Sequence, residues 1–268
     1  MRNLRTLLEI ITTLIKSPPS IRRVLQDEDK WKQSIQQRYG FVDGLPTIDL
    51  LDLVPEFHVV VEPYSFLDGT STVLDIALLN ALANRKRDCK YLEIGTWKGE
   101  SIANVSKFVN KGVSLSLSEA EMRQLGLSDE FIKVHKFFSE GIDNVDHIGH
   151  NSHTFNYSLL NERFDLVFID GDHNYRGVKI DTQNAFKILR DDKSIIVWHD
   201  YGKSPETVRW DVLAGILDGC PTENRKYLYH VSNTLCAIFI KSEFDVVAAK
   251  FPQVPNKKFK ITILAEKI

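Results

Sequence analysis

The sequence predicts an α/β protein built on an open, mostly parallel sheet with helices on both faces. Three features carry that expectation. Residues 164–170 form a nearly continuous apolar run, the composition of a strand covered on both sides. Residues 91–94 are a second short apolar strand that ends directly in Gly95, and a helical stretch follows. From residue 90 onward, short apolar strands alternate with segments of helical spacing, which is how parallel strands are connected.

In chain order, apolar residues at Leu4, Leu7, Leu8, Ile11, Leu14 and Ile15 mark a helical stripe that stops before Pro18-Pro19. A second, polar helix is expected over residues 21–39, closed by Gly40. Residues 41–70 hold three prolines and two glycines, so they read as an irregular connection with one short strand at 58–61. Helical spacing returns over 71–84 through Val73, Leu74, Ala77, Leu78 and Leu82. Beyond the strand at 91–94 the pattern gives a helix at 101–109, a strand at 113–117, the strand at 164–170 and a helix at 175–189. A strand at 194–198, a helix at 208–217 and a last strand at 235–240 complete it. The domain boundary is placed at residue 70: a helical and irregular extension over 1–70, serving as lid or dimerisation element, and the sheet domain over 71–268.

Composition narrows the function classes. With 43% hydrophobic and 26% charged residues in 268, the chain can bury a core, which excludes disorder and rod-like repeats. The formal net charge is −2, so no global field attracts nucleic acid, and the basic run Arg85-Lys86-Arg87 reads as a solvated helix end. Three scattered cysteines, Cys89, Cys220 and Cys236, exclude a disulfide framework and suit a reducing compartment. No apolar run reaches the length of a membrane span, Glu9 interrupts the apolar N-terminal stretch, and a cytoplasmic location is expected.

Three motifs carry the chemistry. The first is Glu93-Ile94-Gly95-Thr96-Trp97-Lys98-Gly99-Glu100-Ser101, between a strand and a helix. Its glycines admit positive φ and close approach of a ligand, and the helix start offers free N–H groups. The spacing is neither GxGxxG nor a P-loop, which disfavours a dinucleotide or a nucleoside triphosphate. The second, Asp170-Gly171-Asp172-His173, and the third, His199-Asp200, end two strands with acids and imidazoles. Such oxygens and nitrogens could surround one divalent cation, or the acids could cap helices while His199 sits in the core. The triplet His147, His150, His153 has a spacing of three, but Gly149 and Asn151 argue against a helical zinc face, and it reads as a polar loop.

Taken together, "YLEIGTWKGES", "FDLVFIDGDHNYRGVKID" and "IIVWHDY" resemble the class I S-adenosylmethionine-dependent methyltransferases. The closest branch is the DGDH-type O-methyltransferases, similar to the macrocin and catechol enzymes. The resemblance covers roughly residues 72–240 and implies a Rossmann-like, doubly wound, seven-stranded sheet. It implies that Glu93, Gly95, Thr96, Trp97, Gly99 and Ser101 receive the methionine part of S-adenosylmethionine, with Asp170 also among the cofactor-binding residues. The ribose-binding acid of the family is replaced here by Ser116, with Glu119 slightly later, and the adenine-side acid by Asn151, next to Ser152. In metal-dependent members the positions of Asp170, His199 and Asp200 hold Mg²⁺, and the imidazole here admits Mn²⁺. His173, or Asp172, stands where a base deprotonates the acceptor. The expected reaction is methylation of a small-molecule or sugar hydroxyl by a protein that forms homodimers. The rivals are a metal-independent enzyme of the same fold and a binding or scaffold protein that lost catalysis.

Overall fold

The computed structural model describes residues 28–248 and 251–268. The N-terminal stripe over residues 4–15 lies outside them, as does the first part of the second helix. Helix α1 (Glu28–Tyr39) leads to β1 (Thr47–Ile48) and the single turn α2 (Leu50–Leu53). Helix α3 (Val73–Ala83) begins at a capping box in which the Thr72 hydroxyl and the Asp75 carboxylate satisfy each other's backbone N–H groups. It precedes β2 (Lys90–Ile94), α4 (Glu100–Val105) and β3 (Lys111–Ser116). After α5 (Glu119–Gln124) and α6 (Asp129–Val134) come β4 (Val145–Gly149), β5 (Leu166–Ile169), α7 (Tyr175–Ile188) and β6 (Ile195–Trp198). The hairpin β7 (Gly202–Ser204) and β8 (Thr207–Val208) is followed by α8 (Trp210–Gly219), β9 (Leu228–Val231), β10 (Ala237–Phe239) and β11 (Val246–Val247).

The main sheet has nine strands in the order β11-β1-β9-β10-β6-β5-β2-β3-β4. Strands β6, β5, β2, β3 and β4 run parallel, and β10 is inserted antiparallel between β6 and β9. The doubly wound, mostly parallel α/β architecture is therefore present. The expected seven strands form its body, and the two-residue strands β1 and β11 extend one edge.

Side-chain alternation along the central strands fills both faces. Leu92, Ile94, Val167, Ile169, Ile196 and Trp198 join a core with α1, α7 and α8. Tyr91, Leu166, Phe168, Ile195 and Val197 join the other, with Leu78 and Leu79 of α3 and Ile102 of α4. Each such fully buried aliphatic or aromatic side chain contributes about 1.5–3 kcal/mol relative to exposure. Helices α7 and α8 approach closely because Gly215 and Gly219 face α7. A Cβ on Gly215 would stand 2.8 Å from the Tyr175 carbonyl, and one on Gly219 2.6 Å from the Thr182 Cβ.

Several expectations differ from the structure for local reasons. No strand forms at residues 58–61, which have no ladder partners between Pro55 and Pro63, and Val60 is 69% exposed. The strand of this region is β1, too short to show a period. Strand β4 is a sheet edge carrying Asp146 and His147, and its polarity hid it among loop residues. Helix α8 starts at Trp210, later than expected, because Thr207 and Val208 pair with β7. All three cysteines are buried and unpaired. No helix of the described residues is long and apolar enough to cross a membrane.

Candidate active site

From β2 the chain winds outward through β3 and β4, then returns to β5 on the other side. The carboxyl ends of β2 and β5 therefore flank the topological switch point, where open α/β sheets hold their ligands. The glycine turn follows β2, and the Asp170-Gly171-Asp172-His173 loop follows β5.

Gly95 has φ 91°, a region open to glycine, and the space for its Cβ is taken by the Asp170 carbonyl and the Gly171 Cα. The two loops thus touch at a point that only glycine permits. Glu93, fully buried at the end of β2, accepts hydrogen bonds from the Tyr91 hydroxyl at 2.8 Å and the Thr96 hydroxyl at 2.7 Å. Burial pushes its carboxyl up to about 7, although the hydroxyls of Thr96, Ser101 and Tyr91 work in the opposite direction. Trp97 packs on Phe131 with ring centroids 3.6 Å apart, and Gly99 starts α4 with φ 81°.

The side chains expected at the ribose and adenine sides meet local partners. Ser116 ends β3 as expected, but its hydroxyl lies 3.1 Å from Nε2 of His135. Burial lowers the His135 pKa to about 4, so that imidazole is neutral near pH 7. Asn151 folds back into its own turn: its Oδ1 accepts from the His153 N–H at 2.9 Å, and its N–H donates to Glu121 at 3.1 Å. Glu119 is solvent-exposed and pairs with Arg123 at 3.1 Å.

On the other side of the switch point, carboxylates and imidazoles gather. His199 is nearly buried, with Nε2 3.3 Å from Asp75 and Nδ1 2.9 Å from Asp170 and 3.4 Å from Asp200. The Nδ1 contact with Asp170 is close but too poorly directed for a hydrogen bond. Burial alone would strip the proton from His199; the charge of Asp170, helped by Asp75 and Asp200, outweighs it and holds the pKa well above the ordinary histidine range. Asp200 follows β6 at φ 56°, an uncommon conformation for a residue with a Cβ and one that recurs at functional sites. Its Oδ2 lies 3.0 Å from Nδ1 of His173 and 3.2 Å from Arg209. Burial opposes its ionisation, but the His173 hydrogen bond and the charges of His199, His173 and Arg209 hold its pKa at about 2.

Ligand atoms of Asp170, His173 and Asp200 lie within 4.8 Å of one another, a grouping that could hold a metal ion, and His199, expected with the same two acids, also faces both of them. Asp172, the alternative base, is drawn into the start of α7, where it accepts from the Asn174 N–H at 3.2 Å. The three loop histidines diverge: His147 reaches the Ser139 carbonyl, His150 that of Asn151, and His153 faces Asp181. Sequence reasoning missed Asp75, Ser71 and Arg209. Ser71 donates to Asp170 at 3.2 Å. Asp75 was legible as a helix cap through Thr72-x-x-Asp75, but no sequence signal shows that its carboxylate also meets His199.

Asp75 also accepts from the Leu235 N–H at 2.9 Å. Burial opposes its charge, and the His199 hydrogen bond and charge, with Thr72 and Leu235, lower its pKa below the usual carboxylate range. Removing one partner of a buried ion pair typically costs about 3–5 kcal/mol. Asp75→Asn should therefore lower unfolding stability by about 3 kcal/mol near pH 7. A depressed carboxylate stabilises above its unfolded pKa and loses that contribution as pH falls through its folded value. The gap between wild type and variant should thus close in acid. Denaturant midpoints measured from pH 7 down to pH 3 check this, and a gap that stays constant would contradict it.

Residues 92–201 match the methyltransferase domain family. That stretch runs from β2 to just past β6 and contains both switch-point loops. No curated protein matches the chain by sequence. Among solved structures, the chain is similar to an O-methyltransferase from Bacillus cereus in complex with S-adenosylhomocysteine, at 16% identity and TM-score 0.43, covering 71% of this chain and 84% of that one. It is also similar to a Podospora anserina methyltransferase bound to S-adenosylhomocysteine, at 19% identity and TM-score 0.45, covering 65% and 80%. A Bacillus halodurans chain matches at 19% identity and TM-score 0.36 over 50% of this chain, and the match spans about half of that protein, 53%.

Proposed function

We propose that this protein transfers a methyl group from S-adenosylmethionine to a hydroxyl of a small molecule or sugar. The observation that carries the reading is the switch-point crevice within the matched methyltransferase domain. On one side stands a glycine turn whose buried acid, Glu93, is already supplied with hydroxyl donors. On the other stands the His173–Asp200 pair. The residues fit the cofactor at its methionine end, since the buried Glu93 carboxyl, supplied with the Tyr91 and Thr96 hydroxyls, stands beside a turn whose glycine lets the loops after β2 and β5 meet. Glu93, Thr96 and Trp97 would hold it there, and the bound cofactor supplies an electrophilic methyl group on sulfur.

The remaining chemistry falls to this chain's own side chains. The acceptor oxygen must be oriented, deprotonated and shielded from water. His173 engages Asp200 through Nδ1, which leaves Nε2 to take the acceptor proton. Burial disfavours its charged form, but Asp200 and Asp170 outweigh this and raise the pKa, making the imidazole a stronger base. Residues 63–67 border the same region. Asn104 donates to the Pro63 carbonyl at 2.8 Å, and Phe66 and Leu67 stay exposed, so this stretch is suited to cover an apolar part of the acceptor.

The favoured form of the mechanism needs no divalent ion. His199 and Arg209 already set two positive charges against Asp75, Asp170 and Asp200. The convergence of Asp170, His173 and Asp200 supports a second reading, in which those three groups hold a metal. Calorimetric titration with S-adenosylmethionine and S-adenosylhomocysteine tests the common core of both. Saturable binding of both is expected, and no binding of either would overturn the proposal in favour of a fold kept without the activity.

A further inference from the structure

The main sheet ends at β11, whose outer edge is covered by no other strand of the described residues. Val246 and Val247 there are 45% and 63% exposed, and Glu243 and Asp245 just before them are exposed as well. Such an edge offers unpaired N–H and C=O groups to any extended chain whose side chains fit. Phe244, with its ring 5.6 Å from that of Tyr229, ties the approach to β11 to the body of the sheet.

A segment of the right character lies at the other end of the same region. Lys257 pins its root: Nζ sits 2.6 Å from Asp49, next to β1, and donates to Oδ1 of Asn233, just past β9, at 3.1 Å. Residues 258–268, which follow, join no ladder among the described residues and are exposed throughout. Phe259, Ile261 and Ile263 alternate with Lys258, Lys260 and Thr262, the period of a strand with one apolar face. That face is bare, with Ile261 70% and Ile263 68% exposed.

Edge and arm are complementary in sequence. Laid side by side in parallel, Glu243-Phe244-Asp245-Val246-Val247 and Lys258-Phe259-Lys260-Ile261-Thr262 match position by position. Both acids meet lysines on one face, while Phe244 meets Phe259 and Val246 meets Ile261 on the other. None of the four charged residues has an ion-pair partner among the described residues of its own chain. Within one chain the arm leaves the edge open, so the occupant must come from elsewhere, and a second copy carries the matching arm. An extended arm of this length reaches about 35 Å, and a two-fold axis makes the exchange reciprocal, closing both edges at once.

We propose that two copies of this chain exchange their C-terminal arms, residues 258–262 of each adding a parallel strand to the β11 edge of the other. The inference does not depend on the methyltransferase reading. Light scattering on the full chain tests it, and a dimer is expected for the wild type. Glu243→Lys with Asp245→Lys puts like charges across both seams, and Lys258→Glu with Lys260→Glu does the same from the arm. Four charge pairs are reversed in either variant, so each should dimerise roughly tenfold or more weakly. All four side chains are exposed, and circular dichroism melts should show both variants folded. Mixing the two variants should restore the dimer, because every arm then faces an edge of opposite charge. A monomeric wild type would overturn the proposal, and so would a dimer that neither variant weakens or that mixing fails to restore.

Discussion

Gly95→Val should abolish S-adenosylmethionine binding. The φ of 91° is strained for any residue with a Cβ and worst for a branched one. Strain is the smaller effect. The new Cβ would land on the Asp170 carbonyl and the Gly171 Cα, which are backbone atoms that cannot rotate aside. The loops after β2 and β5 would have to separate, and the crevice between them is the proposed cofactor site. A natural control separates strain from collision. Gly40 has φ 77° with nothing within 4 Å of its Cβ position, so Gly40→Ala carries the backbone cost alone, about 1 kcal/mol. Thermal melting should show a small loss for Gly40→Ala with cofactor affinity intact. Gly95→Val should show a larger loss of stability and no heat of binding in calorimetry at temperatures where it remains folded. Wild-type affinity in Gly95→Val would place the cofactor elsewhere.

The parts of this molecule that could be read from sequence are those whose causes are local. Residues 166–169 and 195–198 are apolar without interruption because each strand is covered on both faces, and Gly95 is demanded by its own backbone angle. Where the cause is distant, the sequence is silent. Strands β1 and β11 exist because they add to the β9 edge, and two residues have no period to display. The polar edge strand β4 looked like loop for the same reason that edge strands are charged in general. The site divides in the same way. Glu93, Gly95, Asp170, His173 and Asp200 stand at strand ends in recognisable motifs. His199, by contrast, is fixed by Asp75, a residue whose local pattern announces only a helix cap.

His173→Ala should reduce turnover roughly 10²–10⁴-fold, the usual contribution of a general base, while S-adenosylmethionine affinity stays within about twofold. The split between turnover and affinity follows from geometry, since His173 contacts Asp200 and Arg209 rather than the glycine turn. The pH profile adds a direction. Only neutral His173 can accept a proton, so activity should rise with pH through a value above the ordinary histidine pKa, because Asp200 and Asp170 outweigh burial and raise it. In Asp200→Asn the main counter-charge is gone, and the rising limb should move to lower pH. At high pH that variant keeps the base but loses its orienting partner, so a residual rate defect should persist there. Chelation separates this mechanism from its metal-bound rival. With His199 and Arg209 compensating the carboxylates, activity should survive EDTA, and added Mg²⁺ or Mn²⁺ should change neither the limb nor the plateau. Activity that disappears with EDTA and returns with either ion would mean that Asp170, His173 and Asp200 hold a metal instead, and His173 would then be a ligand rather than the base.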